Sequence, residues 1–229
     1  MNTLYKIAFS TLCFLFVMNC STGFDRGKLH DSTKFRPLNT TDKEIDRILK
    51  LKPQIHFPFK LAIWIDGDDP LKVYSKPDDQ ILFQKFIADL KQKGIISDAI
   101  FISQSLVEEE KLQFIRLAAA RYNADAVLSI RSSKQIDSYP NFMSILYLTV
   151  IGFWIFPGST RDSIFYISGT LWDVRNEYLY LTAESEGEAK IIRPLIYANR
   201  DTVVTNAKEK SLDSFLIELK SRFYSIKGI

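Results

Sequence analysis

Between residues 59 and 130 the chain alternates short apolar runs with stretches of helical periodicity, an order that few folds accommodate. Leu61-Ala62-Ile63-Trp64-Ile65 has the length and character of a buried strand, and Asp66-Gly67-Asp68-Asp69-Pro70 breaks it. A helix is expected from about Asp79 to Lys93, with Leu82, Phe86, Ile87 and Leu90 on one face and Gly94 as its stop. Ala99-Ile100-Phe101-Ile102 reads as a second strand. Ser105-Leu106-Val107-Glu108 has the form of a capping box and should open a helix reaching about Tyr122. Asn123-Ala124-Asp125 then turns into a third strand, Ala126 to Ile130. Farther on, Ser163 to Val174 is rich in β-branched and aromatic residues, Leu179 to Ala189 is its expected partner, and Asp173 to Glu177 supplies a polar turn between them. Val204, Ala207, Phe215, Leu216, Leu219, Phe223 and Ile226 give the stretch Asp201 to Ile226 one apolar face. The expected fold class is α/β: a layered sheet with helices, βαβαβ followed by a β-hairpin and a C-terminal helix.

The N-terminus has a different character. Lys6 precedes an apolar-rich stretch from Ile7 to Met18, and Asn19-Cys20-Ser21-Thr22-Gly23 follows. A positive start and an apolar run of this length make a secretory signal, too short to span a bilayer stably. The residues before the cysteine, Val17-Met18-Asn19-Cys20, resemble the lipobox of bacterial lipoproteins, in the looser form of the spirochaete proteins. The resemblance implies cleavage after residue 19 and a diacylglycerol on Cys20. The alternatives are an ordinary secreted protein with a free cysteine, or an uncleaved anchor. The chain has two cysteines, Cys13 and Cys20, and Cys13 would leave with the signal. No internal disulfide is then expected. Ser21 and Thr22 lack the aspartate that retains many enterobacterial lipoproteins in the inner membrane, so an outer-membrane location is favoured by analogy, facing the periplasm or the cell surface.

These readings divide the chain into a signal peptide (1–19), a lipidated N-terminus with tether and short helix (20–58) and one α/β domain (59–229). Residues 21–40 are polar and without period, which suits a flexible stalk. Thr41-Asp42-Lys43-Glu44 is a capping box for a short helix carrying Ile45, Ile48 and Leu49, and Pro53 and Pro58 lie beyond it. An apolar share of 46% and an aromatic share of 13% suffice for a substantial core. The net charge of +3 is small and interspersed, so nucleic acid is not expected as a partner.

A further resemblance rests on Ile115 to Leu128, in which a helix ends in Tyr122-Asn123-Ala124-Asp125 and runs into a strand, and on Gly169 to Arg175 followed by Leu179 to Ala183. These stretches resemble the rhombotarget lipoprotein family. More distantly they are similar to the periplasmic domains of curli-secretion and penicillin-binding-protein-activator lipoproteins. The likeness covers roughly residues 59–190. It implies a lipid-anchored α/β domain that binds other envelope proteins and has no catalytic residues. The family name also implies a C-terminal sorting tail, and the ending Tyr224 to Ile229 departs from that pattern.

Few residues advertise chemistry. The two histidines, His30 and His56, both precede the expected core, which argues against a histidine triad or a multi-histidine metal site. There is no Gly-rich phosphate loop and no nucleophile elbow. Asp66, Asp68 and Asp69 could bind a cation but read more simply as a polar turn. Glu184, Glu186 and Glu188 share one face of a strand, as on a solvated surface. Arg116 and Arg121 read as exposed helix charges, and Tyr122 and Trp172 as core. No enzyme activity, metal or cofactor is expected.

The unusual internal segment is Met143 to Phe156, uncharged and bounded by Pro140 and Pro157-Gly158. As a helix it would be about 20 Å long, short of a ~30 Å hydrocarbon core. It lacks the alternation of a lipid-facing barrel strand. It reads either as core or as a loop that touches membrane or a partner through Phe153, Trp154 and Phe156. Two function classes follow: a non-enzymatic envelope lipoprotein acting by contact or assembly, or a membrane-inserting or secretion-pore component using this segment. The expected partners are a membrane through the N-terminal lipid, other envelope proteins and, in an assembly, further copies of the chain.

Overall fold

The computed structural model describes residues 23–34, 41–66, 73–74, 76–149, 151–197 and 199–228. Among them five strands form one mixed sheet in the order β2-β1-β3-β4-β5. β1 (Phe59–Ile65) is flanked in parallel by β2 (Ile96–Phe101) and β3 (Ala126–Pro140). β3 pairs antiparallel with β4 (Ser159–Asp173), and β4 antiparallel with β5 (Leu179–Arg193). The continuous apolar run of β1 has a simple cause, since the strand is buried on both faces. Leu61 and Ile63 enter one core layer, and Ala62 and Trp64 enter the other.

The larger layer lies under α3 (Pro77–Gln92) and α6 (Arg200–Lys227). Phe83, Phe86 and Leu90 of α3 meet Phe215, Leu219 and Phe223 of α6 over Leu128, Phe165 and Ile167 of the sheet. The smaller layer lies under α4 (Leu112–Arg121), whose Ile115, Ala118 and Ala119 cover Ala62, Trp64 and Val127. Two glycines set how closely α6 approaches the sheet. A Cβ on Gly187 would fall 2.2 Å from the Ala207 carbonyl oxygen and 2.6 Å from the Ser211 nitrogen, and one on Gly169 would fall 2.6 Å from the Phe215 ring. Only a residue without a side chain permits contact this close.

β1 pairs with β3 only as far as Ile65 opposite Ile130. Residues 131–140 of β3 therefore run on past β1 as an arm with β4 and β5, roughly 30 Å long at ~3.3 Å per residue. One face of the arm carries α6, and the other carries α1 (Arg26–Thr33).

The strands, the hairpin, α3, α6 and the short helix α2 (Asp42–Leu49) match the sequence expectation in kind. Gly94 adopts φ +62° behind α3, as a helix stop of this type requires. Four expectations differ. Residues 26–33, read as part of a tether, are a helix capped by the Asp25 side chain and docked through buried Leu29. Ser105 opens no long helix: a single 3₁₀ turn spans Gln104–Leu106, and α4 begins at Leu112. The third strand extends ten residues past Ile130, through Ser132-Ser133-Lys134-Gln135, which no propensity would nominate. Arg116 is not an exposed charge; it packs inward, donates to the Val174 carbonyl at 2.7 Å and pairs with Glu177.

Candidate functional site

The far end of the arm carries the apolar segment. Phe142–Leu148 form a 3₁₀ turn and Gly152–Ile155 the one-turn helix α5. The core alternative for this segment is not what the structure holds. Phe142, Leu148, Ile151, Trp154 and Ile155 all stand exposed, Leu148 at 81% and Trp154 at 51%. Phe156 is half-buried, and the side chain of Phe153 lies outside the described residues. Ile192, Ile196 and Tyr197, at the end of β5 and in the next 3₁₀ turn, add exposed apolar surface, and α5 touches that turn.

This tip is built rather than loose. Asn141 binds both strands of the junction, with its amide nitrogen on the Pro157 carbonyl at 2.7 Å and its side-chain oxygen on the Met143 N–H at 2.9 Å. The Asn141 N–H reaches the Gly158 carbonyl at 2.9 Å. Inside the tip the Ser144, Thr149 and Trp154 N–H groups donate to the carbonyls of Asn141, Leu146 and Ile151. A Cβ on Gly158 would fall 2.7 Å from the Ser144 backbone, so the turn folds tightly onto the start of β4.

The first described residues lie against the same arm. The Gly23 N–H donates to Asp137 Oδ2 at 3.2 Å, and the Asp25 N–H to Gln135 Oε1 at 2.9 Å. Ser133 Oγ donates to the Leu29 carbonyl at 2.9 Å. The chain thus descends β3 from its tip end toward its base as residue numbers rise from 23 to 29. Arg26 reaches across to Glu186, at 3.0 Å, and to Glu188. The three glutamates do share one exposed face of β5, and two of them hold α1. Cys20 itself lies outside the described residues.

Behind α1 is an open groove of about 240 Å³, lined by residues that include His30, Thr33, Tyr166, Thr170, Trp172 and Glu184. The His30 and Tyr166 rings lie 4.2 Å apart. Burial, and then the hydrogen bond to Glu184, push the Tyr166 hydroxyl well above its usual range, so the phenol stays neutral and can only donate to or accept from a guest. His56 stands exposed before β1, away from His30. Asp66 caps the end of β1, its N–H on the Ile130 carbonyl at 2.9 Å, while Asp68 and Asp69 lie outside the described residues. Trp172 is half-buried and lines the groove, and Tyr122 is half-buried beside the smaller core layer. Among the described residues no group of three His, Cys, Asp or Glu side chains is placed to hold a metal ion, and no helix is long and apolar enough to cross a membrane.

A hub that the sequence did not reveal closes the opposite end of the β4–β5 hairpin. Asp173 Oδ1 accepts the Arg175 N–H at 2.8 Å, and Oδ2 accepts the Tyr180 hydroxyl at 2.6 Å. Burial and that bond push the Tyr180 hydroxyl up to about 12. The same hydroxyl accepts the N–H groups of Gln54 and Ile55, and Asn176 donates to the Lys52 carbonyl at 2.7 Å. The only signal for this in the sequence was a polar turn.

No family model matches the chain, and no curated protein matches it. Solved structures do. A hypothetical protein from Chlamydia trachomatis aligns at 6% identity and a TM-score of 0.38, over 73% of this chain and 99% of its own. Rare lipoprotein B from Shewanella oneidensis aligns at 11% identity and 0.35, over 73% and 98%. A lipoprotein from Neisseria meningitidis aligns at 10% identity and 0.34, over 72% and 99%. Likenesses of this depth assign the chain neither a partner nor an activity.

Proposed function

We propose that the chain is a lipid-anchored protein of the bacterial cell envelope, non-enzymatic, working through contact with other envelope proteins. The observation that carries the reading is Cys20 directly behind the apolar run of residues 7–18, in a setting that resembles a lipobox. Two features of the fold support it. Gly23, three positions after Cys20, is held to Asp137, so the domain lies close to the modified residue. Exposed apolar side chains gather at the arm tip and on α2, where Ile45, Ile48 and Leu49 face outward, and such surface suits contact with a partner. Outer-membrane residence is the finer part of the proposal.

The deciding experiment is mass analysis of the mature N-terminal peptide from cells fed a tagged fatty acid. A diacylated or triacylated Cys20 at the new N-terminus supports the reading, and an unmodified thiol there overturns it. Cys20→Ala should leave the protein uncleaved or release it from membranes. The exposure of the tip favours a second reading, in which the domain itself also touches membrane. If that second reading took the form of a pore, the detergent-solubilised protein would run as a ring-sized oligomer.

A further inference from the structure

The geometry points to the arm tip, Phe142–Ile155, as a second membrane contact that enters the same leaflet as the lipid on Cys20, so that the domain stands on its arm at a lipid surface. The inference rests on the Cys20 anchor proposed above and adds to it a contact site and an orientation. Three observations on different parts of the chain converge.

The first is where the N-terminus is held. Gly23 is pinned to Asp137, toward the tip end of β3, and Asp25 to Gln135, midway along the arm. Gly23 is three positions from Cys20 along the chain, which fully extended spans at most about 11 Å. Asp137 lies three residues from the end of β3 at Pro140, about 10 Å along the strand. Gly23 is thus held about 10 Å from the tip and about 20 Å from the base of the arm, and a lipid on Cys20 starts within reach of the tip.

The second is the character of the tip. Phe142, Leu148, Ile151, Trp154 and Ile155 present apolar side chains outward from backbone that is hydrogen-bonded within the tip. Lipid contact requires that combination, because backbone groups left open in an apolar medium are costly. Trp154 is the residue type that settles at the boundary of headgroups and acyl chains. A segment this short rests in that boundary and does not cross the bilayer.

The third is charge. Arg193, paired opposite Ser159 at the end of β5, is exposed beside the tip, where an anionic headgroup would meet it. The acyl chains on Cys20 anchor the chain by themselves, and an apolar tip next to them fixes which end of the domain faces the membrane.

The test uses a reporter in the tip. The chain has only Cys13 and Cys20, so a new cysteine in the mature lipidated protein is a unique thiol. Leu148→Cys carries an environment-sensitive fluorophore; Ile155→Cys is a second tip position, and Ser97→Cys on β2 is the control. Each full-length lipidated protein is reconstituted into vesicles of phosphatidylcholine and phosphatidylglycerol, with and without spin-labelled lipid. The expected result is a blue shift, a several-fold rise in emission and quenching by spin-labelled lipid at positions 148 and 155, with no change at 97. Unchanged emission at both tip positions, with Cys20 shown acylated in the same sample by mass analysis, overturns the inference and leaves the anchor standing. An unacylated Cys20 overturns the anchor, and the inference falls with it.

Discussion

At the residue scale, the most consequential interaction is one that sequence spacing hides. Lys208 of α6 and Asp79 of α3 meet at 2.6 Å with side chains 1% and 3% exposed. Asp79 also accepts the Lys76 N–H at 2.8 Å, so it caps its own helix while binding the other. Removing one member leaves the other buried without its partner, which costs about 3–5 kcal/mol. Lys208→Ala should lower stability in urea unfolding by about that much, and Asp79→Asn with Lys208→Met should recover part of it. Gly187 makes an independent prediction. Its missing Cβ leaves room for the backbone of Ala207 and Ser211, which cannot rotate away as a side chain could. Gly187→Ala should therefore cost about 1–3 kcal/mol or more through overpacking, visible as a lower melting temperature.

At the element scale, α6 is the clamp. It crosses the arm and the base of the sheet, and Phe215, Leu219 and Phe223 are fully buried beneath it. Phe215→Ala or Phe223→Ala should each cost about 3–5 kcal/mol, measured by chemical unfolding. A polar clip reinforces the far end. Lys220 donates to Asp89 Oδ1 at 2.8 Å, and the Tyr224 hydroxyl donates to Oδ2 at 2.6 Å. Burial pushes the Asp89 carboxyl upward, but the bonds from Lys220 and Tyr224 outweigh it and hold the group below its ordinary value. A folded value below the unfolded one, about 3.9, means the clip stabilises above that pH. The contribution fades as pH falls through the lower, folded value. The wild type should thus melt higher than Asp89→Asn near neutrality, and the difference should shrink as pH drops below about 4. A constant difference across that range would sink the assignment.

At the scale of the whole molecule, the arm separates two environments. Its base is joined to a double-layered core, and its tip, outside both core layers, leaves apolar side chains such as Leu148 and Ile155 exposed. Substitutions at the tip should therefore leave folding alone. Leu148→Ser with Ile155→Ser should shift stability by no more than about 0.5 kcal/mol, the range for exposed positions. The same change in a core would cost several kcal/mol. Thermal melting of that double variant tests the exposure of the tip without any membrane present.

Strand and helix identity was legible wherever a local period carried it. The β4–β5 hairpin, α3 and α6 each write their buried face into their own residues, as an alternation or a 3.6-residue repeat, and β1 shows itself as a short continuous apolar run. The stretch Arg26-Gly27-Lys28-Leu29-His30-Asp31-Ser32-Thr33 has one apolar residue and therefore no period, so a helix there depends on the Asp25 cap and on a sheet to receive Leu29. Arg116 looks like any helix charge until the β4–β5 turn brings Val174 and Glu177 to it from some 60 residues away. Asp79 and Lys208, 129 residues apart, carry no mutual signal at all. The segment from Met143 to Phe156 is the clearest case. Its sequence determined that it is apolar and uncharged, and that property suits a buried core and an exposed surface equally. Only the tertiary structure decided that side chains such as Leu148 and Ile151 are exposed, because burial depends on what lies opposite: β3 and β4 carry the segment to the end of an arm, beyond the two core layers of the described residues.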